Sequence, residues 1–184
     1  TMDSFCQKLL GNINASYRQY DILDENGLIL FVMSRYRKLG LATGAGYFNR
    51  IKELTSAWQT ANNENIPFES IESLNYSLYS QLVRLKDALV HDGYMDFSYA
   101  IRLATEELNK ISDKRGTDIE KFNYLFVDEY QDINPIQEEF IKSFSSFLES
   151  LFVVGDDDQA IYGWRGANVQ NILTFKDRYD NVSV

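Results

Sequence analysis

Cysteine and histidine are almost absent from this chain of 184 residues, in which Cys6 is the one cysteine and His91 the one histidine. An internal disulfide needs two cysteines, and structural zinc sites draw their ligands from several cysteines and histidines. The sequence therefore excludes both kinds of site within this chain. A single thiol is typical of a reducing compartment, so we expect a cytoplasmic protein, with His91 on the surface near a helix end.

Long apolar runs and one kind of glycine loop are also missing. No apolar stretch approaches the roughly 20 residues that span a bilayer, so we expect no membrane partner. None of the ten glycines is followed directly by lysine, so the phosphate-binding loop G-x-x-x-x-G-K-[ST] does not occur in this chain. Without that loop, the chain cannot by itself hold the β- and γ-phosphates of a nucleotide in the manner of a P-loop enzyme.

Positive charge is scarce, because 18 lysines and arginines face 27 aspartates and glutamates, and the net charge is −9. A self-sufficient nucleic-acid binder is usually basic, since neutralisation of phosphates supplies much of its affinity. If this chain belongs to such a protein, either its acids cluster at a nucleotide site or the basic contacts lie in other parts of the protein. We favour the second explanation.

Two short apolar runs in the last third of the chain end abruptly in carboxylates. The run at 124–127 is followed by Asp128 and Glu129, and the run at 151–154 by a glycine and three aspartates. Runs of branched and aromatic residues without polar alternation predict strands buried on both faces, as in a parallel sheet covered by helices. Apolar residues at helical spacing after Pro135 predict a helix between them. Ligands of open α/β sheets bind at the carboxyl ends of such strands.

The carboxylate pair after the first strand suits metal and water chemistry. Asp128 could hold Mg²⁺, directly or through water, because Mg²⁺ prefers one or two carboxylates together with phosphate oxygens. Glu129 would point to the opposite face of an extended chain and could orient or deprotonate an attacking water. The alternative is a strand that simply ends in solvated acids.

The loop after the second strand combines residue types that suit phosphates and unpaired bases. Gln159 can donate a hydrogen bond to a phosphate oxygen without adding charge. Tyr162 and Trp164 offer aromatic faces on which bases can stack, and Arg165 offers a phosphate contact or a cation–π partner. Taken alone, these aromatic residues would suit a core position beside a turn at least as well.

Together the two stretches resemble a known family. The sequences DEYQD at 128–132 and GDDDQAIYGWRGA at 155–167 match motifs II and III of the UvrD/Rep-type superfamily 1 DNA helicases, D-E-x-Q-D and G-D-x-x-Q-x-I-Y-x-W-R-G-A, at every defining position. The resemblance implies an ATP-driven motor that moves along single-stranded DNA and separates duplex in repair, recombination or replication. It also implies an α/β fold, namely part of a RecA-like P-loop NTPase parallel sheet with an inserted all-helical subdomain.

The resemblance implies roles for individual residues as well, with ATP and Mg²⁺ as cofactors. Asp128 would hold Mg²⁺, Glu129 would activate water, and Gln159 would sense the γ-phosphate. Because Gln159 shares its loop with the predicted DNA contacts, a shift of that loop with phosphate state would also move the stacked bases. The residues that would contact DNA are Tyr162, Trp164 and Arg165, and those that would join motif II to motif III are Gln131 and Asp132.

The amino-terminal residues match a shorter motif of the same family less completely. The start TMDSF is similar to T-x-H-x-F, where a strand end meets a helix and contacts single-stranded DNA, but Asp3 stands where the family has histidine. Thr1 would then donate to a DNA phosphate. A frayed terminus is the alternative.

From residue 20 to about residue 115, apolar stripes at helical spacing predict amphipathic helices without strands. Gly93-x-x-Asp96-Phe97, with Asp96 as a helix N-cap, is similar to the G-x-x-D-F element of the helical insert in this family. That insert contacts duplex DNA in the family, and solvated surface positions are the alternative for its basic residues. The candidate phosphate contacts are Arg35, Arg37, Lys38, Arg50 and Lys52.

The predicted organisation has three parts: a short segment of the first RecA-like domain at 1–19, the helical insert at 20–115, and a RecA-like portion with motifs II and III at 116–184. We expect a piece of a larger helicase that needs the remaining helicase domains and both single-stranded and duplex DNA as partners. We also expect no ATPase activity from the chain alone.

Two other function classes compete with the helicase interpretation. A metal-dependent nuclease would use the clustered acids, but the nuclease cores that accompany such helicases carry E-x-K, and no glutamate here has lysine two positions later. A catalytically silent DNA-binding or interaction module would keep the fold without hydrolysis. The presence of Glu129 and Gln159 argues against that for the parent protein.

Overall fold

The structure is a computed structural model that describes residues 1–111, 118–160, 170–179 and 182–183. The chain forms two compact units, Thr1–Ala104 and Thr105–Val184. Helices dominate both units, and each unit contains a parallel pair of strands. The α/β class predicted from the sequence therefore holds at this coarse level, although the described residues show only two-stranded sheets.

The elements follow one another without long gaps in the described part. The helices are α1 Met2–Ile13, α2 Glu25–Arg35, α3 Tyr47–Asn63, α4 Glu69–Glu72, α5 Tyr76–Asp92, α6 Phe97–Lys110, α7 Pro135–Ser145, α8 Gln170–Leu173 and α9 Phe175–Arg178. The strands are β1 Asp21–Leu23, β2 Tyr94–Asp96, β3 Tyr124–Val127 and β4 Ser150–Val153, and short 3-10 turns lie at Ala15–Gln19, Asp118–Lys121, Tyr130–Asp132 and Asp157–Gln159.

Local signals fix the helix ends of the first unit. The Asp24 side chain caps α2 by accepting a hydrogen bond of 2.7 Å from the Gly27 amide, and Asn75 caps α5 in the same way. Gly93 ends α5 with a left-handed backbone (φ 72°), which a residue without Cβ adopts at little cost. The apolar stripes thus become α2, α3, α5 and α6 as predicted. His91, 86% exposed at the end of α5, also lies where expected.

A buried aromatic cluster organises the core of this unit. Trp58 is fully buried between Phe68 and Tyr99, with ring centroids 5.5 Å and 5.1 Å away. Its indole Nε1 donates to the buried Asp96 carboxylate at 2.9 Å, and Ser98 donates to the same carboxylate at 2.7 Å. A backbone hydrogen bond from Tyr99 adds the expected N-cap interaction at the start of α6. Despite these donors, desolvation by burial raises the pKa of Asp96.

The expectation of an all-helical insert is wrong in one respect. β1 and β2 pair in parallel, with Asp21 opposite Tyr94 and Leu23 opposite Asp96. Each strand has only three residues, too few to show an alternating pattern. Their pairing also joins residues that are far apart in sequence, which local periodicity does not reveal.

The second unit contains the predicted strand, helix and strand. β3 and β4 pair in parallel with Val127 opposite Val153, and α7 lies between them in the chain. Asn134 and Gln137 form a reciprocal capping box at the start of α7, and Pro135 occupies the first turn. These local preferences explain why α7 begins where the sequence predicts.

The prediction that these strands are buried on both faces is wrong for the described structure. Tyr124, Phe126, Phe152 and Val154 are between 47% and 73% exposed. The Phe126 and Phe152 rings stack on each other with centroids 4.8 Å apart. In the part of the chain that the structure describes, the sheet has two strands and no layer covers this face. Of the described helices, none has the length and apolar character needed to cross a membrane.

Candidate active site

The parallel register brings the ends of β3 and β4 to the same edge of the sheet. The Val154 amide donates to the Val127 carbonyl at 2.8 Å, and the Tyr130 amide donates to the Val154 carbonyl at 3.0 Å. The chain therefore leaves both strands side by side. Asp128 and Glu129 emerge next to Gly155 and the aspartates that follow it.

Glu129 differs from the extended conformation assumed in the sequence analysis. Its backbone is left-handed (φ 53°), a conformation that costs a residue with a Cβ on the order of 1–2 kcal/mol. This turn leads directly into the 3-10 turn at 130–132, where the Asp132 amide donates to the Glu129 carbonyl at 2.9 Å. Asp128 supports the turn by accepting a hydrogen bond of 3.0 Å from the Glu129 amide. Both carboxylates remain exposed.

Gln131 bridges the two strand ends from a buried position, with 1% of its surface exposed. Its Nε2 donates to Glu129 Oε2 at 2.7 Å, and its Oε1 accepts from the Asp156 amide at 3.0 Å. A carboxylate can only accept and a backbone amide can only donate, so these partners fix the orientation of the Gln131 amide. Gln131 thus holds one oxygen of Glu129 while the rest of that side chain faces solvent.

Asp156 continues this connection to Gln159. One carboxylate oxygen of Asp156 accepts from the Asp158 amide at 3.0 Å, and the other accepts from Gln159 Nε2 at 2.7 Å. Hydrogen bonds therefore run from Glu129 through Gln131 and Asp156 to Gln159. We name this series of four residues the acid–amide relay. It joins two of the residues for which the sequence predicts catalytic roles.

Gly155 is required by close packing. An added Cβ would lie 2.6 Å from Gln131 Oε1, 2.7 Å from Ile172 Cδ1 and 3.2 Å from the Tyr130 amide nitrogen. Such distances are too short for a carbon atom. The sequence analysis attributed only a turn to this glycine, whereas the structure shows that it makes room for the Gln131 bridge.

Asp132, the other residue predicted to join the motifs, has a different environment. It is half-buried, and its Oδ1 has no hydrogen-bond partner among the described residues. Of the predicted DNA contacts, Tyr162, Trp164 and Arg165 lie outside the described residues. Thr1 is exposed at the N-cap of α1, with its hydroxyl 3.2 Å from that of Ser4.

The donor set at the end of β3 fits a hard divalent cation. Asp128 and Glu129 present exposed carboxylate oxygens at the sheet edge, where a nucleotide would approach. In the described residues, no group of three or more histidine, cysteine, aspartate or glutamate side chains is arranged to hold a metal. Mg²⁺ needs no such group, because it keeps water and phosphate oxygens alongside one or two carboxylates.

A second network behind the motif II turn was missed by the sequence analysis. Glu138 on α7 accepts hydrogen bonds from the hydroxyls of Tyr130 and Tyr179, and it forms an ion pair of 2.7 Å with Arg178. No motif signals this cluster, because its members come from separate elements and only their packing brings them together.

The basic residues of the first unit divide into two groups. Arg35 forms an ion pair of 2.6 Å with Asp92, and Arg50 donates to the carbonyls of Ala42 and Ala45, so both hold local structure. An open polar recess of about 850 Å³ lies beside the end of α2. Its lining residues are Ser34, Arg35, Tyr36, Arg37, Lys38 and Asp92.

Comparisons with known proteins agree with the motifs. A family model described as the UvrD/REP helicase N-terminal domain matches residues 1–180. The chain is 32% identical over 183 residues to the ATP-dependent DNA helicase Rep of Buchnera aphidicola, covering 93% of this chain and 25% of that protein. It is 30% identical over 125 residues to a probable DNA helicase II homologue of Rickettsia felis, covering 68% of this chain and 18% of the relative.

A third relative is the ATP-dependent DNA helicase PcrA of Staphylococcus aureus, at 39% identity over 110 residues, which covers 55% of this chain and 14% of PcrA. The chain thus spans a quarter or less of the length of each of these relatives. Because the family model covers nearly the whole chain, we conclude that the chain belongs to the UvrD/REP helicase N-terminal domain family.

Proposed function

We propose that this chain is the part of an ATP-dependent DNA helicase that activates water and senses the γ-phosphate. The acid–amide relay is the observation that carries this proposal, because it links an exposed carboxylate at the end of β3 to an exposed amide in the loop after β4. In this proposal the two-stranded sheet is part of a RecA-like P-loop sheet, the three-part division at residues 20 and 116 holds, and the protein is cytoplasmic.

Glu129 is the proposed base for the attacking water. Gln131 donates to one of its carboxylate oxygens and so restricts the side chain, while the exposed position leaves room for a water at the carboxylate. Asp128 would hold Mg²⁺, which supplies charge neutralisation for the phosphates of bound ATP. The left-handed turn at Glu129 directs the chain back toward Gln131, so the strain serves to position the base.

Gln159 is the proposed γ-phosphate sensor, and the structure suggests how it would respond. Its amide is held by Asp156, so a phosphate oxygen must compete with this carboxylate for the same Nε2 donor. Releasing Gln159 frees one oxygen of Asp156, whose amide is attached to Gln131. A change at the phosphate can therefore reach Glu129 through side chains already in contact, and Gln131 and Asp132 are the proposed links between the motifs.

The remaining roles rest on the sequence. Tyr162, Trp164 and Arg165 follow Gln159 directly in the chain and are the proposed contacts to single-stranded DNA, with Thr1 as a further contact. The basic residues of the helical insert are the proposed contacts to duplex DNA. The complete protein would serve repair, recombination or replication. The isolated chain, which lacks the lysine-containing phosphate loop, should show no ATPase.

The test compares ATP hydrolysis with and without single-stranded DNA in a protein that joins this chain to the further helicase domains of its relatives. Glu129→Gln should lower kcat by about 10²–10⁴-fold while ATP binding persists, because only the base is lost. Trp164→Ala should keep DNA-independent hydrolysis and lose its stimulation by DNA. Glu139→Gln, which removes one carboxylate elsewhere in the same unit, is the matched control.

If the wild-type protein binds DNA without hydrolysing ATP, the proposal is wrong and the chain belongs to a silent binding module. Full activity of Glu129→Gln would equally remove Glu129 from the role of base. Among the described residues no cluster of three acids forms a site for a metal-dependent nuclease, so that alternative gains no support from the structure.

A further inference from the structure

The segment 170–179, which follows the predicted DNA contacts, is attached to the motif II turn through side chains. Asn171 is buried, and its Nδ2 donates to the Ile133 carbonyl at 3.1 Å. The Tyr179 hydroxyl lies 3.4 Å from that of Tyr130, and the Phe175 ring packs edge-on against the Tyr130 ring with centroids 5.3 Å apart. The segment and the turn are therefore joined at several points.

Glu138 is the centre of this attachment. Its carboxylate accepts from the hydroxyls of Tyr130 and Tyr179 and pairs with Arg178 Nη1 at 2.7 Å. Arg178 in turn donates to the side chain and the carbonyl of Asn171. We name Glu138, Arg178 and Tyr179 the Glu138 cluster. It connects helix α7, the motif II turn and segment 170–179.

The cluster is buried enough to resist rearrangement. Tyr130 is fully buried, and the side chains of Glu138 and Arg178 are 11% and 27% exposed. A buried carboxylate that loses its cation is left uncompensated, so the ion pair and its hydrogen bonds move or hold together. Burial and the Glu138 carboxylate both raise the pKa of Tyr130, so its hydroxyl stays protonated and remains a donor.

The same turn is also attached to the chain on the other side of the predicted DNA contacts. Gln131 accepts from the Asp156 amide, and Asp156 holds Gln159 just before residue 161. The stretch 161–169 is thus bounded in the sequence by two anchored segments, and both are anchored on residues 130–133. Any pull on this stretch acts on the turn that carries Glu129 and Gln131.

We infer that the Glu138 cluster is a positioning device that transmits DNA engagement at 161–169 to the turn holding Glu129 and Gln131. This inference deepens the proposed function and rests on it. Glu138 contacts neither substrate nor Glu129 directly, so it acts through Tyr130 as a positioning residue. The acid–amide relay would carry the phosphate state outward, and the Glu138 cluster would carry DNA binding inward.

The test uses Glu138→Gln and Tyr179→Phe in the complete helicase. Glu138→Gln keeps the shape and removes the charge, whereas Tyr179→Phe removes one hydroxyl and keeps the ring that stacks on Phe175 at 4.4 Å. Glu139→Gln, one residue further along α7, loses the same charge and serves as the control. Steady-state hydrolysis is measured with and without a single-stranded oligonucleotide.

Both cluster variants should lower the stimulation of kcat by DNA about 5- to 30-fold, since coupling networks of this kind contribute effects of that size. Hydrolysis without DNA and the KM for ATP should stay within about twofold of wild type. A purely structural role would lower both rates together with the folded fraction, and that result would overturn the inference. Unchanged stimulation in Tyr179→Phe would overturn it even if Glu138→Gln failed to fold.

A second measurement does not depend on hydrolysis. Addition of the oligonucleotide should slow hydrogen exchange of the amides at 130–133 in wild type and in Glu139→Gln, but not in Tyr179→Phe. Equal protection in all three proteins would contradict the inference while leaving the helicase assignment intact. Absence of ATP hydrolysis in wild type would instead overturn the proposed function, and this inference with it.

Discussion

The packing of Gly155 gives a sharp prediction. In Gly155→Ala, the new Cβ would lie 2.6 Å from Gln131 Oε1 and 2.7 Å from Ile172 Cδ1. Ordinary contacts of a Cβ begin near 3.4 Å, so each neighbour must retreat by about 0.7–0.8 Å. Overpacking of this kind costs about 1–3 kcal/mol. Displacing Gln131 also weakens its hydrogen bonds to Glu129 and to the Asp156 amide, which contribute about 1–3 kcal/mol together at this partly exposed edge.

The assay is hydrogen exchange of the Tyr130 and Val154 amides, whose hydrogen bonds close the ladder beside Gly155. The chain holds two compact units, so a probe within the second unit is more informative than a global melting curve. Exchange of these amides should accelerate by about 5- to 100-fold, as expected for a loss of about 1–3 kcal/mol in local stability. Gly27→Ala is the control, because Gly27 lies within helix α2 and has no strained backbone angle.

A double-mutant comparison separates the steric argument from a general effect of alanine. In the Gln131→Ala background, the obstacle at Oε1 is gone and Ile172 can move at its flexible end. Gly155→Ala should then cost about 1 kcal/mol less than in the wild-type background. Equal costs in both backgrounds would show that Gln131 is not what Gly155 accommodates, and the packing argument would be refuted.

Two further predictions concern the first unit. Trp58→Phe removes a donor to the buried Asp96 carboxylate and should cost about 1–3 kcal/mol at pH values where Asp96 is ionised. Because burial already raises the pKa of Asp96 in the folded state, folding takes up a proton as the pH falls, and the cost of the substitution should shrink between about pH 8 and pH 5 in urea titrations followed by circular dichroism; a pH-independent cost would contradict this. Arg102→Met removes a donor to the Ile66 carbonyl at 3.0 Å and a cation–π contact with Phe68, and should lower the urea midpoint by an amount equivalent to about 1–2 kcal/mol, whereas an unchanged midpoint would show that water replaces these contacts.

Continuous signals in the sequence predicted much of this fold. The apolar runs at 124–127 and 151–154 and the periodic stripe after Pro135 are each local, and they gave β3, β4 and α7 as observed. The helix boundaries of the first unit follow from caps such as Asp24 and Asn75. Such features depend on a few neighbouring residues, and the sequence displays them directly.

Features that depend on distant pairing escaped prediction. The β1–β2 pair joins strands of three residues, and the exposed face of the β3–β4 sheet follows from the number of strands beside it. At the candidate site, the types of Glu129 and Gln159 suggested their chemistry, but neither showed that Gln131 and Asp156 connect them. The left-handed backbone of Glu129 was missed because glutamate gives no local signal for it.

The parallel pairing of β1 and β2 also has a consequence for engineering. The excursion from Asp24 to Gly93 contains α2, α3, α4 and α5, yet it departs from β1 and returns to β2, which lie side by side over three residues. The gap from the end of β1 to the start of β2 is therefore only about one short strand long, and a bridge of about three to five residues would span it. These four helices thus form a cassette with closely spaced ends, which could be exchanged or transplanted while the strand pair keeps the attachment points in register.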